Sequence, residues 1–102
     1  MRTALGVFAK EPLPGRVKTR LSPPLTAAEA ASLYRVSLEE TVATLGTLSC
    51  DLFLCYAGAE TFFRECFPGV RLLPQGEGEL GVRMERALAR LLGEGYGAAV
   101  LV

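Results

Sequence analysis

Four cationic side chains close to one glycine are the first residues of this chain that could do chemistry. The segment K-E-P-L-P-G-R-V-K-T-R-L places Gly15 among Lys10, Arg16, Lys18 and Arg20. Phosphate groups are recognised by such cations together with backbone N–H groups, which a glycine allows to approach closely. We therefore predict a phosphate-binding loop, with a solvated basic loop as the alternative interpretation.

The positive charge of the chain is concentrated in this segment. The net charge is zero, with 11 basic and 11 acidic residues, but residues 1–20 carry five of the basic residues and only one acidic residue, Glu11. A local positive field on a neutral chain indicates a small anion, because a long nucleic acid usually meets a broader basic face. We expect a small phosphate-bearing anion as the partner, and no nucleic acid.

A second segment, Q-G-E-G-E-L-G-V-R, combines glycines with side chains that could also face a nucleotide. Gln75 could bond a nucleobase edge, and Arg83 could reach a phosphate from one turn inside the following helix. The alternative is a flexible glycine loop before a helix with a solvated basic face. We interpret Arg86 and Arg90 as part of that solvated face.

Several classes of site are excluded or disfavoured by the sequence. There is no histidine, so the commonest general base and the commonest metal ligand are both missing. The first loop lacks the earlier glycine of a P-loop, and no G-x-G-x-x-G follows the first apolar run, which disfavours nucleoside triphosphatases and dinucleotide-dependent oxidoreductases. Cys50, Cys55 and Cys66 lack C-x-x-C spacing, and we expect them to be small buried side chains.

Neither a membrane span nor a secretory leader is indicated. No apolar run reaches the roughly 18 residues that a transmembrane helix needs, and the N-terminus lacks a signal-peptide pattern. We therefore expect a cytoplasmic protein that does not enter a membrane.

Apolar runs alternate with segments of helical spacing along the chain. Strands are predicted at 3–9, 51–57, 70–73 and 98–102, and helices at 26–45, 60–67 and 80–92. The first helix begins with a capping box, because Thr26 precedes Glu29 by three positions. This alternation predicts an α/β domain over residues 1–102, with a mostly parallel sheet in a three-layer αβα arrangement. Ligands of such sheets bind beyond the carboxyl ends of the strands, where both glycine-containing segments lie.

The two motifs F-A-K-E-P-L-P-G-R-V-K-T-R-L-S-P-P-L and L-L-P-Q-G-E-G-E-L-G-V-R-M-E-R-A-L resemble those of a bacterial family. The family has the glycosyltransferase-A fold and comprises uncharacterised or arsenosugar-biosynthesis-type glycosyltransferases. The resemblance implies the Rossmann-like N-terminal half of a nucleotide-diphospho-sugar transferase domain, and therefore a nucleotide or nucleotide-sugar as the partner. It places one set of residues in the phosphate loop, namely Lys10, Gly15, Arg16, Lys18 and Arg20. It places a second set in another nucleotide-facing loop, namely Gln75, Gly76, Leu80, Gly81 and Arg83.

The resemblance also implies a divalent metal, magnesium or manganese, for the complete family domain. The expected metal ligand is an aspartate in a turn after the fourth strand, and no acidic residue of this sequence corresponds to it. We therefore predict an incomplete domain that is inactive or weak as given, because a departing diphosphate would lack its usual metal stabiliser.

Two alternatives to a glycosyltransferase-type domain remain open at this point. One is a nucleotidyltransferase, in which Lys18 and Arg20 would stabilise a leaving pyrophosphate. The other is a non-catalytic module that forms a homodimer by pairing its last strand with that of a second copy.

Overall fold

The computed structural model describes residues 2–18, 20 and 24–102. Its seven elements in chain order are β1 (Thr3–Lys10), α1 (Ala27–Leu45), β2 (Asp51–Ala57), α2 (Glu60–Cys66), β3 (Arg71–Pro74), α3 (Leu80–Gly93) and β4 (Ala98–Leu101). Thr19 and residues 21–23, which belong to the predicted first loop, lie outside the described residues. The predicted alternation of strands and helices is confirmed, with each boundary within one residue of its expected place.

The four strands form one sheet in the order β3-β2-β1-β4, and every described pairing is parallel. The apolar run of β1 lies at the centre, where a strand is covered on both faces and needs no polar alternation. Lys10 of β1 pairs with Ala57 of β2, and Tyr56 pairs with Pro74 of β3. The carboxyl ends of these three strands therefore lie side by side.

The helices cover both faces of the sheet, which confirms the predicted α/β class and three-layer arrangement. On one face Leu38 and Val42 of α1 and Phe63 of α2 pack against Leu54 and its neighbours. On the other face Ala87 and Leu91 of α3 pack against Phe53 and Cys55. Because crossovers between parallel strands are right-handed, the reversal of strand order at β1 places α3 opposite to α1 and α2.

The start of α1 is fixed by the predicted capping box. Thr26 Oγ1 accepts a hydrogen bond from the Glu29 backbone N–H at 3.0 Å, and Glu29 Oε1 accepts one from the Thr26 N–H at 2.9 Å. Two otherwise unpaired donors of the first turn are thereby satisfied. This cap sets where α1 begins, and α1 in turn places Tyr34 beside the end of β1.

Two expectations about burial need correction. Only Cys55 is fully buried, whereas Cys50 and Cys66 are half-buried, because they lie at the ends of elements and not inside the sheet. The apolar spacing of α3 predicts more burial than occurs, since only Ala87 and Leu91 reach the core while Leu80, Met84 and Leu92 are exposed. Separately, β4 forms an edge strand of the described sheet, and Val100 on it is about half exposed at 49%.

None of the helices among the described residues is long and apolar enough to cross a membrane.

Candidate functional site

A cavity of about 260 Å³ opens at the carboxyl end of β1. Its polar lining comes from both glycine-containing segments and from α1, and consists of Lys10, Lys18, Tyr34, Gln75 and Arg83. Its apolar lining consists of Phe8, Ala9, Val17 and Leu80. The fold thus brings together Lys10 and Lys18 from the first predicted set with Gln75, Leu80 and Arg83 from the second.

The first loop turns sharply before it reaches the cavity. The Arg16 N–H donates to the Leu13 carbonyl oxygen at 3.0 Å, and Gly15 has a φ of +80° with open space where a side chain would be. Val17 is only 5% exposed and anchors the loop to the core. Lys18 follows with a φ of +51°, which is uncommon for a residue other than glycine. Backbone strain of this kind concentrates at ligand sites.

Tyr34 links helix α1 to the end of β1. Its phenolic oxygen accepts a hydrogen bond from the Lys10 backbone N–H at 2.9 Å. A phenol can also donate one hydrogen bond, and within the described parts of the chain Tyr34 Oη has no acceptor for it. Tyr34 lines the cavity, so its O–H is available to a ligand there.

Gln75 connects the ends of the strands to α3. Its side chain is buried, and Nε2 donates to the Ala9 carbonyl oxygen at 3.1 Å and to the Cys55 carbonyl oxygen at 2.9 Å. Its Oε1 accepts a hydrogen bond from Arg83 Nη1. Both amide hydrogens are therefore used within the protein, and a nucleobase contact in which Gln75 donates would have to displace one of these bonds.

The glycine loop after Gln75 is held by Arg86, which the sequence had placed on a solvated face. Arg86 Nη1 donates to the Gln75 carbonyl oxygen at 2.8 Å. Gly76 has a φ of +77°, and a β-carbon there would lie 2.5 Å from Arg86 Nη1. The backbone conformation therefore favours glycine at position 76, and a side chain there would displace the end of Arg86.

The cations that line the cavity are not neutralised by neighbouring carboxylates. The ion pairs among the described residues involve Arg2, Arg35, Arg64, Arg71 and Arg90, and none involves Lys10, Lys18 or Arg83. The Nε–H of Arg83 is buried without a partner in the described chain. A cavity lined by three cationic side chains that form no ion pair within the described chain attracts anions.

The other predicted residues lie near the cavity or outside it, but do not line it. Gly15 and Arg16 form the turn before Val17, and Gly76 supports the Arg86 contact. Gly81 lies in the first turn of α3, next to Leu80. Arg20 is exposed. The roles predicted for these residues in binding remain predictions.

Several residues in or beside the cavity were not predicted from the sequence, and three of them show why. Tyr34 fits the apolar stripe of α1, so nothing in the sequence shows that its hydroxyl meets the end of β1. For Val17 the only signal is that it is an apolar residue inside a polar loop. Arg86 lies one turn after Arg83, and this spacing is the signal that the two could share a helix face and a loop partner.

A metal site is not formed by the residues that the structure describes. Among them no three Cys, Asp or Glu side chains lie together in a group that could hold an ion. Glu11, the acidic residue of the cationic loop, accepts a hydrogen bond from the Ala59 N–H at 2.7 Å and is thereby engaged at the start of α2. The described residues do not fit magnesium or manganese, and the metal expected for the complete family domain remains a prediction.

The parallel sheet, its strand order and the cation-lined cavity beyond the carboxyl ends of the strands define a Rossmann-like α/β domain. A bacterial family described as "Uncharacterized protein conserved in bacteria (DUF2064)" matches residues 39–102, which is more than half of the chain. The chain belongs to this family. A search of curated proteins gives no match.

A solved structure is also similar to this chain. The crystal structure of a protein from Desulfovibrio desulfuricans G20, described as a "putative nucleotide-diphospho-sugar transferase", superposes on this chain with a TM-score of 0.90. The two are 33% identical, and the match covers 99% of this chain and 46% of that one. This chain therefore spans about half the length of that protein. The resemblance to the nucleotide-diphospho-sugar transferase superfamily is confirmed.

Proposed function

We propose that this chain binds the diphosphate group of a nucleotide or nucleotide-sugar, as the nucleotide-binding part of a glycosyltransferase-type protein. The observation that carries the proposal is the set of three cationic side chains, Lys10, Lys18 and Arg83, around one cavity with no carboxylate paired to them in the described chain. The name of the similar structure from Desulfovibrio supports the choice of ligand class.

The three cations approach the cavity from different elements, which suits an extended anion. Lys10 ends β1, Lys18 belongs to the loop that follows β1, and Arg83 lies in the first turn of α3. Two phosphates carry oxygens on several sides, so cations from three directions can each contact a different oxygen. The N-terminus of α3, at Leu80, adds backbone N–H groups and a favourable dipole on the same side.

The apolar lining suits the remainder of a nucleotide. Phe8, Val17 and Leu80 contribute uncharged surface to the same cavity. Ligand sites combine apolar walls with a few polar groups that fix orientation, and this cavity has both. We propose that the phosphates lie against the cations while the base or ribose contacts the apolar wall.

The transferase activity itself is part of the proposal. Transfer of a sugar from a nucleotide-diphosphate requires stabilisation of the charge that develops on the leaving diphosphate. Lys10, Lys18 and Arg83 would neutralise part of that charge. The described residues supply no metal-binding set, so we derive no catalytic step through a metal and expect weak activity or none from these residues alone.

A thermal-melt panel tests the ligand class. The panel contains inorganic pyrophosphate, nucleoside mono-, di- and triphosphates, and nucleotide-sugars, each with and without magnesium or manganese. A ligand of the folded state adds about 2.7 kcal/mol of stability at a hundred times its Kd and so raises the Tm. We expect the largest shifts with diphosphates and nucleotide-sugars. Absence of a shift across the panel would contradict the proposal.

The same panel separates the alternative enzyme class. A nucleotidyltransferase holds a nucleoside triphosphate before chemistry, whereas a glycosyltransferase holds a nucleotide-sugar. A larger Tm shift with a triphosphate than with any nucleotide-sugar at equal concentration would therefore favour nucleotidyl transfer.

Homodimer formation and cytoplasmic location are further proposals. β4 has one strand neighbour in the described sheet, and Val100 on it is 49% exposed, which favours pairing with another strand. Light scattering at working concentration tests this, and a monomeric mass would contradict it. The free thiols of Cys50, Cys55 and Cys66 are typical of a reducing compartment and support the cytoplasm.

A further inference from the structure

We propose that Gln75 is a positioning residue, which acts on the bound anion by holding the Arg83 guanidinium in a binding-ready orientation. The inference rests on the proposed function, because it concerns the same cavity. It goes beyond that function by assigning Gln75 to Arg83 and not to a nucleobase.

The orientation of the Gln75 amide is fixed by its surroundings. Its NH₂ group faces two carbonyl oxygens on neighbouring strands, Ala9 O at 3.1 Å and Cys55 O at 2.9 Å. A flipped amide would place its oxygen against those two acceptors, which is unfavourable. The amide oxygen must therefore face away from the strands, and Arg83 Nη1 donates to it there.

The main chain of Gln75 is held as firmly as its side chain. The Gln75 N–H donates to the Tyr56 carbonyl oxygen at 2.9 Å, and the Gln75 carbonyl oxygen accepts from Arg86 Nη1 at 2.8 Å. The residue is only 4% exposed. Gln75 therefore offers Arg83 an acceptor whose position is set by β1, β2 and α3 together.

Arg83 retains donors for a ligand after this contact. A guanidinium has five N–H donors, and within the described residues only Nη1 of Arg83 is used. Its Nε–H is buried and unpaired, although buried donors in proteins nearly always have a partner. Arg83 lines the cavity, so an anion bound there can accept from the donors that the guanidinium retains. Because Gln75 already fixes one donor of the guanidinium, the Arg83 side chain loses less conformational entropy when the ligand binds.

A double-mutant cycle on inorganic pyrophosphate binding tests the inference. Gln75→Met and Arg83→Ala are made separately and together, and each Kd is measured by isothermal titration calorimetry after urea unfolding confirms that the variant is folded. We expect Gln75→Met to weaken binding about tenfold when Arg83 is present. In the Arg83→Ala background the same change should alter the Kd less than about twofold. An equal loss in both backgrounds would indicate a general structural effect and overturn the inference.

A second variant tests whether the oriented guanidinium of Arg83 is needed, in case Gln75→Met does not fold. Arg83→Lys keeps the positive charge but cannot both contact Gln75 Oε1 and present parallel donors. We expect its Kd for pyrophosphate to be close to that of Arg83→Ala. A Kd close to that of the unmodified protein would show that charge alone suffices and overturn the inference.

The outcomes distinguish this inference from the proposed function. If the unmodified protein does not bind pyrophosphate or any diphosphate, both are wrong. If it binds but Gln75 and Arg83 contribute independently, the proposed function stands and the positioning role is wrong.

Discussion

The phenolic oxygen of Tyr34 lies 2.9 Å from the Lys10 backbone nitrogen and accepts its hydrogen bond. The contact joins the middle of α1 to the last residue of β1, at the rim of the cavity. Since the phenol accepts from Lys10, its own hydrogen is directed elsewhere, and no acceptor for it lies among the residues described. Tyr34 can therefore serve the fold and the ligand at the same time.

Tyr34→Phe should weaken ligand binding while it leaves the fold intact. The ring keeps its packing, but a donor to a phosphate oxygen is lost, which corresponds to about 1 kcal/mol or roughly a fivefold increase in Kd for pyrophosphate. Isothermal titration calorimetry measures the change, and urea unfolding reports any loss of stability from the Lys10 contact. Unchanged affinity would show that the hydroxyl has only the structural role.

Replacement of Lys18 by glycine and by alanine should reveal the backbone strain at this position. Its φ of +51° suits glycine better than any residue with a β-carbon. Both Lys18→Gly and Lys18→Ala remove the amine and should weaken pyrophosphate binding alike. Lys18→Gly should nevertheless be more stable than Lys18→Ala by about 1 kcal/mol, as measured by urea unfolding. Equal stability of the two variants would contradict the strained backbone.

The three cysteines should differ in reactivity toward a thiol reagent. Burial raises the pKa of the Cys55 thiol to about 11, so it stays protonated and shielded at pH 8. Cys50 and Cys66 are half-buried and carry free thiols. We expect two thiols of the native protein to react with Ellman's reagent and the third to react only after unfolding in urea. Reaction of all three at similar rates would argue against the described core.

Asp51 should make the free energy of unfolding depend on pH in the acid range. Hydrogen bonds from Arg2 and from the Tyr96 hydroxyl, the latter at 2.7 Å, hold the pKa of Asp51 below its ordinary value. A carboxyl with a lowered folded-state pKa stabilises the fold above its unfolded pKa of about 3.9, and this contribution is lost as the pH falls through the folded pKa. The unfolding free energy of the unmodified protein should therefore exceed that of Asp51→Asn at pH 7, and the difference should shrink at about pH 3.

The comparison of Asp51→Asn with the unmodified protein also controls for the capping box. The pKa of Glu29 is lowered by its hydrogen bonds with Thr26, so Glu29 contributes in the same pH range. Because Glu29 is present in both proteins, its effect cancels in the difference. A difference that is constant between pH 7 and about pH 3 would show that Asp51 does not titrate as described.

Local signals in the sequence were sufficient to predict the elements. The capping box of Thr26 and Glu29 marks the start of α1, and the apolar runs mark the strands, because caps and periodicity depend on near neighbours. The alternation of strands and helices also predicts that ligands bind at the carboxyl edge of the sheet. Lys10, Lys18 and Arg83 could therefore be predicted to approach the same place.

The contacts inside the site could not be predicted, because they depend on the packing of distant segments. Gln75 meets Ala9 and Cys55 only after β1, β2 and β3 are aligned in register. In the sequence, nothing distinguishes Tyr34 from the other members of the apolar stripe of α1. The exposure of Met84 and Leu92 also depends on how much of α3 the narrow sheet can cover.

The binding of inorganic pyrophosphate tests the central claim most directly. Its Kd should be measured by isothermal titration calorimetry for the unmodified protein, for the double variant Lys18→Ala/Arg83→Ala, and for Arg90→Ala. Arg90 is the matched control, since it lies on the same helix as Arg83 but pairs with Glu94 away from the cavity. We predict that the double variant binds about a hundredfold more weakly and that Arg90→Ala binds within about twofold of the unmodified protein. Equal affinity of all three proteins would contradict the assignment of this cavity as the phosphate site.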